Sequence, residues 1–270
     1  MRLGLGSYGL AWAIGVPGFP VEAPLDAFGL VGRAAAWRLG VVQIGDNLPL
    51  GRFPPPELAS LRALADRAGL ALEVGMRGLV EDAVWRHLEV AGALGSALLR
   101  AVIDAPGFEP APDEVVAILR RLVPALEQAG VTLAIENHDR FPSAALAGMV
   151  RAAESPRVGI CLDTVNSFGA LEGPAVVVEN LGPLTVNLHL KEFTVRRAGH
   201  KMGFAVEGAP AGQGRLDIPW LLSRLRAMGR DPNAILEQWV PPEEDVARTV
   251  AKEFRWAEQS LAYLRPLFTG

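Results

Sequence analysis

Cysteine is nearly absent: Cys161 is the single thiol in the chain, so no internal disulfide can form. Small secreted folds that depend on disulfide bracing are thereby excluded. Positive charge is not in excess either. Lys and Arg number 26 against 30 Asp and Glu, a formal net charge of -4, which leaves no basic face of the kind that binds a phosphate backbone. Long apolar runs are missing too. The stretch from Met1 to Phe19 is apolar, but Gly4, Gly6, Gly9, Gly15 and Pro17 interrupt it, so neither a signal peptide nor a membrane span is expected. The expected location is the cytoplasm, with no nucleic-acid or membrane partner.

What is present is a large apolar content, 50% of 270 residues, enough for a substantial core. Short apolar runs alternate with longer helical patterns throughout. The strand candidates are Leu3–Ser7, Val41–Gly45, Ala71–Gly75, Leu98–Ile103, Thr132–Glu136, Gly159–Asp163, Thr185–Lys191 and Ala234–Glu237. Helical patterns lie between them, over Pro24–Arg38, Pro55–Ala68, Glu81–Leu94, Asp113–Ala129, Pro142–Glu154, Gly173–Leu181 and Ile218–Met228. A last one runs from Pro242 to Leu267. Eight strand–helix units in a chain of this length predict an α/β fold, a single-domain (β/α)8 TIM barrel spanning residues 1–270. An open doubly wound sheet is the alternative. Its dinucleotide signature is met only in spacing by Gly4, Gly6 and Gly9, which begin inside the strand and lead to a Gly/Pro-rich loop rather than a helix. The segment Thr194–Asp217 lacks clear periodicity and reads as a long loop after strand seven, with Gly208, Gly212 and Gly214 giving it the freedom of a lid.

Strand phase makes a site visible. Alternate side chains of a barrel strand face the interior and the helices. If Leu133 and Ile135 face the helices, Glu136 faces inward. By the same alternation Asp163 and His189 face inward, and Glu237 closes its strand in the phase of Ile235. Four consecutive strands thus bring Glu136, Asp163, His189 and Glu237 to the C-terminal mouth, where active sites of this fold lie. Three carboxylates sharing one site repel unless a cation sits among them. One divalent metal is therefore expected. The oxygen donors suit Mg2+ or Mn2+, and the single imidazole tilts the choice toward Mn2+, with Co2+ and Zn2+ as further candidates.

Other residues gather around this set. Lys191 shares the phase of His189 and could stabilise a developing enediolate, or could instead run out to solvent. His138 and Asn166, just beyond Glu136 and Asp163, are candidates to bond a substrate or to serve ordinary loop structure. Gln43, Glu73 and Arg100 fall in inward phase on strands two to four, with a Glu73–Arg100 charge pair as the simplest arrangement. Tyr8 and Trp12 could wall the substrate. Arg196 and Arg197, with His200 and Lys201, cluster after strand seven and could hold a carboxylate or phosphate, or could be a solvated basic loop.

The strand ends Ile135-Glu136-Asn137-His138-Asp139, Cys161-Leu162-Asp163-Thr164-Val165-Asn166, Leu188-His189-Leu190-Lys191 and Leu236-Glu237-Gln238 resemble the motifs of the xylose isomerase-like barrel superfamily. That group includes sugar phosphate isomerase/epimerase-type proteins, ketose 3-epimerases, hydroxypyruvate isomerases and inosose dehydratases. The resemblance implies that Glu136, Asp163, His189 and Glu237 ligate the metal and that Glu136 and Glu237 exchange protons with the substrate. Two positions depart from the epimerase pattern: Asn166 stands where a histidine is usual, and Lys191 follows the strand-seven histidine where an arginine is usual shortly after it. The His189-x-Lys191 pattern, with Gly203-Phe204 and Gly212-Gln213-Gly214, looks closer to decarboxylases of branched keto sugar acids such as 3-oxo-isoapionate. The DNA-repair endonucleases of the superfamily need a histidine-rich trinuclear zinc centre, and four histidines in an acidic chain do not match it.

The expected activity is an isomerase or epimerase that moves a proton next to a metal-bound carbonyl of a small sugar or sugar acid. A decarboxylase or dehydratase is the alternative, and a sugar-binding barrel without catalysis the third. A homo-oligomer is left open as an assembly.

Overall fold

The computed structural model describes residues 1–268. In chain order the strands of the barrel are β1 (Leu3–Gly6), β2 (Val41–Ile44), β3 (Ala71–Arg77), β4 (Leu98–Val102), β5 (Thr132–Glu136), β6 (Val158–Asp163) and β7 (Thr185–Leu190). Next come β8 (Glu192–Arg197) and β9 (Phe204–Ala209), which pair with each other in a separate two-stranded sheet, and then β10 (Asn233–Leu236). The barrel closes in the order β1-β10-β7-β6-β5-β4-β3-β2, every pair parallel. The helices are α1 (Ala11–Ile14), α2 (Ala27–Ala36), α3 (Pro55–Arg67), α4 (Glu81–Leu94), α5 (Pro112–Ala129), α6 (Ser143–Ala152), α7 (Pro174–Leu181), α8 (Ile218–Ala227) and α9 (Val246–Phe268).

Local chemistry sets the helix ends. Prolines open α3, α5, α7 and α8 within their first two positions, where a missing N–H costs no hydrogen bond. Asp26 and Asp217 cap α2 and α8 by accepting from Gly29 and Trp220 backbone N–H groups. Gly95 and Gly130 end α4 and α5 at φ 68° and 66°, a left-handed turn that a side chain would disfavour. The last helix starts at Val246, four residues later than its pattern suggested, because Asp245 accepts from Arg248 N–H and stops it there.

The core is the layer between barrel and helices. Leu133, Ile135, Ile160, Leu162, Leu188 and Leu190 point outward into it and are buried, which matches the alternation in the sequence. The inner face is polar at mid-height, where Gln43, Glu73, Arg100 and Asn187 are all buried.

Two expectations need correction. The segment 194–217 is not a loop throughout: β8 and β9 form an antiparallel hairpin from Glu192 to Ala209. Phe193-x-Val195 and Phe204-x-Val206 do alternate with polar or small residues and share one face of the hairpin, but the runs are short and Phe204 and Val206 are exposed. Nor do its glycines give it the freedom of a lid. A side chain at Gly208 would strike the Trp239 carbonyl, one at Gly214 the Phe193 carbonyl and Glu192, and one at Gly212 the Tyr263 ring. These glycines let the hairpin base pack closely on the barrel rim. The buried Glu192 carboxylate reinforces it, accepting from Gly212 and Leu216 N–H groups.

Candidate metal centre at the barrel mouth

Register brings the strand ends level. Asp163 on β6 lies opposite His189 on β7, and His189 opposite Ile235 on β10. The ladder continues one residue past β10, where Glu237 N–H donates to Leu190 O. Glu136 closes β5 opposite Cys161. Gly6 on β1 provides room, since a Cβ there would lie 2.9 Å from Glu237 Oε1.

The four expected side chains meet around one imidazole nitrogen. His189 Nδ1 lies 3.4 Å from Glu136 Oε1, 3.5 Å from Glu237 Oε2 and 3.8 Å from Asp163 Oδ2. All four residues are buried. The ring's other nitrogen, Nε2, is 2.6 Å from Gln43 Oε1. A carbonyl oxygen only accepts, so Nε2 carries a hydrogen. Burial opposes a charge on the ring, but Glu237 and Glu136 outweigh it and raise its affinity for a second proton at Nδ1, which a bound metal would replace. Asp163 is fixed in a similar way: Oδ1 accepts from the Val165 and Asn166 N–H groups at 2.8 Å, turning Oδ2 to the centre. Asn137 straps the ends of β5 and β6 together, accepting from Asp163 N–H and donating to Asp163 O.

Glu136 Oε2, Asp163 Oδ2, His189 Nδ1 and Glu237 Oε2 are buried and lack an aligned hydrogen-bond partner. Three of these atoms touch the Arg100 or Lys191 side chain, and the convergence of all four on one point suits a further shared cation. Three carboxylate oxygens and one imidazole nitrogen are a fitting donor set for a divalent metal. Two subsets, Asp163–His189–Glu237 and Glu136–Cys161–His189, lie close enough to act as ligands. The buried Cys161 thiol donates to Asn187 Oδ1 at 3.3 Å, and burial pushes it well above the usual thiol range, so it stands as a neutral neighbour.

Two cations flank the cluster. Arg100 Nε lies 2.5 Å from Glu136 Oε2, and Lys191 Nζ lies 2.7 Å from Asp163 Oδ2 and 2.9 Å from Glu237 Oε2. Burial works against the charge on Glu136, but Arg100, His189 and Lys191 outweigh it and hold the carboxyl well below its ordinary range. Glu237 is lowered too, with burial opposed by His189 and Lys191. Burial also opposes the charge on Lys191, yet Asp163 and Glu237 raise its affinity for a proton. Thr164 positions Lys191, its hydroxyl donating to Lys191 O at 2.7 Å and accepting from Lys191 N–H at 2.9 Å.

The remaining residues divide. Asn166 joins the cluster, donating from Nδ2 to Glu136 Oε1 at 2.8 Å, with its Oδ1 3.5 Å from Lys191 Nζ. Tyr8 stands over Arg100, 5.8 Å from guanidinium carbon to ring centroid, and its hydroxyl donates to Asp46. Trp12 donates from Nε1 to Val240 O and packs edge-on against Phe19, 5.2 Å between centroids. His138 is half-buried and turned to its neighbour Asp139 at 2.5 Å. Arg196 and Arg197 are not brought to the cluster. They lie in β8, where Arg196 pairs with Glu207 across the hairpin and Arg197 packs on Phe204 and donates to Lys201 O.

The expected Glu73–Arg100 pair does not form. Arg100 is in register with Gly75, one inward step above Glu73, and turns up to Glu136 and Asp46. Glu73 instead accepts from three side-chain amides, those of Gln43, Asn187 and Asn233. Asp46 and Arg77, which the sequence analysis did not single out, also belong to the mouth: Asp46 bridges Arg77 and Arg100 at 3.3 Å each. Arg77 lies two strand positions past Gly75, in the inward phase of Glu73, and that phase was the available signal.

A closed parallel barrel with this strand-end cluster defines a class. The chain belongs to the xylose isomerase-like TIM barrel family, whose model matches residues 34–267. It is 34% identical to the 3-oxo-isoapionate decarboxylase of Pectobacterium atrosepticum over 98% of this chain and 95% of that protein. Among solved structures it resembles the D-psicose 3-epimerase of Clostridium cellulolyticum H10, at a TM-score of 0.74 and 16% identity, covering 98% of this chain and 97% of that one. It also resembles a xylose isomerase-like TIM barrel protein from Mycobacterium smegmatis in complex with magnesium, at a TM-score of 0.69 and 12% identity, covering 97% of both chains. Among the described residues, no helix is long and apolar enough to cross a membrane.

Proposed function

We propose that this chain is a divalent-metal-dependent lyase that removes CO2 from a small 3-oxo sugar acid. One observation carries the reading: both strand-end glutamates are already engaged by fixed, buried cations, Glu136 by Arg100 at 2.5 Å and Glu237 by Lys191 at 2.9 Å. Deprotonating a substrate carbon requires a carboxylate free to take the proton, and an ion-paired carboxylate is a weak base. Decarboxylation requires no base. The C–C bond to the carboxylate breaks, its electron pair moves toward the 3-oxo oxygen as an enolate, and a proton then adds at carbon. The likeness to a 3-oxo-isoapionate decarboxylase supports the same reaction class.

In this reading Glu136, Asp163, His189 and Glu237 hold the metal, with Mn2+ the first candidate and Mg2+, Co2+ or Zn2+ the others. The bound metal would supply positive charge to the substrate's carbonyl oxygen. Lys191 Nζ steers the anionic substrate by its charge and stabilises the enolate oxygen, and water supplies the proton that replaces CO2. Asn166 orients Lys191 and Glu136, while Tyr8, Trp12 and His138 line the approach.

A second reading, isomerase or epimerase, is favoured by one feature: Glu136 and Glu237 both lie within 3.5 Å of His189 Nδ1, so two carboxylates border one point. Incubation with Mn2+ and either 3-oxo sugar acids or ketoses in D2O separates the readings. CO2 release with one deuterium in the product supports the lyase. Deuterium entering a recovered ketose without CO2 supports the isomerase. If neither substrate class turns over or exchanges, both readings fail.

A further inference from the structure

Beneath the cluster lies a closed polar network. Glu73 is buried on β3 and makes no ion pair among the described residues. Its Oε2 accepts from Gln43 Nε2 at 3.0 Å and Asn187 Nδ2 at 2.9 Å, and its Oε1 accepts from Asn233 Nδ2 at 2.7 Å. Gln43 Nε2 also donates to Asn187 Oδ1 at 2.9 Å. Gln43 Oε1 then meets His189 Nε2 at 2.6 Å.

Each amide in this chain could in principle be reversed, since amide oxygen and nitrogen have the same shape. A carboxylate cannot be, because it only accepts. Glu73 therefore decides which end of Gln43 and of Asn187 faces it. With both Gln43 N–H groups committed downward, to Glu73 and Asn187, only the amide oxygen remains for His189. That oxygen draws the imidazole hydrogen to Nε2 and leaves Nδ1 as a lone pair. If Gln43 were reversed, its NH2 would face Nε2, the hydrogen would move to Nδ1, and the nitrogen nearest Glu136, Asp163 and Glu237 would be blocked.

We propose that Glu73 is a positioning residue: through Gln43 it fixes His189 as the Nε2–H tautomer and so keeps Nδ1 open as a metal ligand. This rests on the metal-dependent reading of the site and is independent of whether the reaction is a lyase or an isomerase. It places a determinant of metal binding on strands β2 and β3, across the barrel from the ligands. Outer hydrogen bonds of this kind typically change metal affinity about ten- to a hundred-fold.

The test uses the full-length protein with selectively 15N-labelled histidine. Imidazole nitrogen shifts are read at alkaline pH without metal and again with diamagnetic Zn2+, and Mn2+ affinity is measured by calorimetry. The wild type should show Nε2–H at His189 in both states. Glu73→Gln should mix the tautomers and weaken Mn2+ binding by about ten- to a hundred-fold. The double variant Glu73→Gln/Gln43→Glu, which moves the acceptor-only group one step nearer His189, should restore Nε2–H and most of the affinity. Gln43→Met supplies a second route if Glu73→Gln fails to fold, and should weaken binding to a similar degree. An Nδ1–H tautomer in the wild type overturns the proposal. So does a wild type that binds Mn2+ no more tightly than Glu73→Gln and Gln43→Met while showing the same tautomer as both. If no variant and no wild type binds a metal, the metal-dependent reading itself falls, while the tautomer comparison still decides the role of Glu73.

Discussion

Arg100 and Arg196 each bring a guanidinium nitrogen to 2.5 Å from a glutamate oxygen, Glu136 and Glu207 respectively. The Arg100 side chain is 4% exposed and that of Glu136 1%, whereas Arg196 is 56% and Glu207 33% exposed. Inside the barrel there is little water to screen the pair, so each charge depends on the other and on the groups around it. On the hairpin, water and salt do most of what the partner does. The same two residue types at the same distance thus build a buried, interdependent charge pair in one place and an ordinary surface contact in the other. Inward strand phase marked Arg100 as a candidate and the basic cluster after strand seven marked Arg196, and burial separates them.

The sharpest way to break this contrast is at the buried cluster. His189→Leu and Asp163→Asn each remove a candidate ligand. We expect Mn2+ binding measured by calorimetry to fall at least about a hundredfold and turnover to fall with it. Wild-type affinity in either variant would remove the basis for the metal centre. Next in size is Arg100→Met, which leaves Glu136 buried without its guanidinium. Unfolding in urea without metal should show a loss of about 3–5 kcal/mol. Added Mn2+ should recover part of that loss, because a divalent cation supplies charge to the same carboxylate.

Glu253 sharpens the comparison from another side, as a buried carboxyl that forms no ion pair among the described residues. Burial raises it to about 7, opposed by the Trp12 and Ala13 N–H groups that donate to it at 2.9 Å. Its folded value lies above the ordinary 4.5, so the folded chain binds the proton more tightly. The stability this confers is full below about pH 4.5 and is lost as pH rises through 7. Glu253→Gln should flatten that part of the curve of melting temperature against pH, a span worth about 3 kcal/mol. An unchanged slope would place the titration elsewhere. The smallest effect is expected at Arg196→Ala, whose melting temperature should equal that of the wild type within error. A clear drop would mean that exposure is not what separates the two arginines.

Much of this was legible in the residues. Glu136, Asp163, His189 and Glu237 could be placed together because strand alternation is strict and all four stand at strand ends. Lys191 followed from the same phase. The hairpin was missed, because its alternating runs, Phe193-x-Val195 and Phe204-x-Val206, are short and set among glycines and charged residues. The glycines around it suggested freedom where they provide close contact. Glu73 and Arg100 were placed on the right face but given to each other. Phase says which side of a strand a group takes, and does not give the height at which neighbouring strands meet.

The order of apolar and polar residues therefore determined the barrel, its inward face and the four groups at its mouth, since these depend on local periodicity and strand count. Only the tertiary structure decided who partners whom. Closing the barrel staggers each strand against the next, and that stagger sets Arg100 opposite Gly75 and beneath Glu136, leaving Glu73 to three amides and, through one of them, to His189.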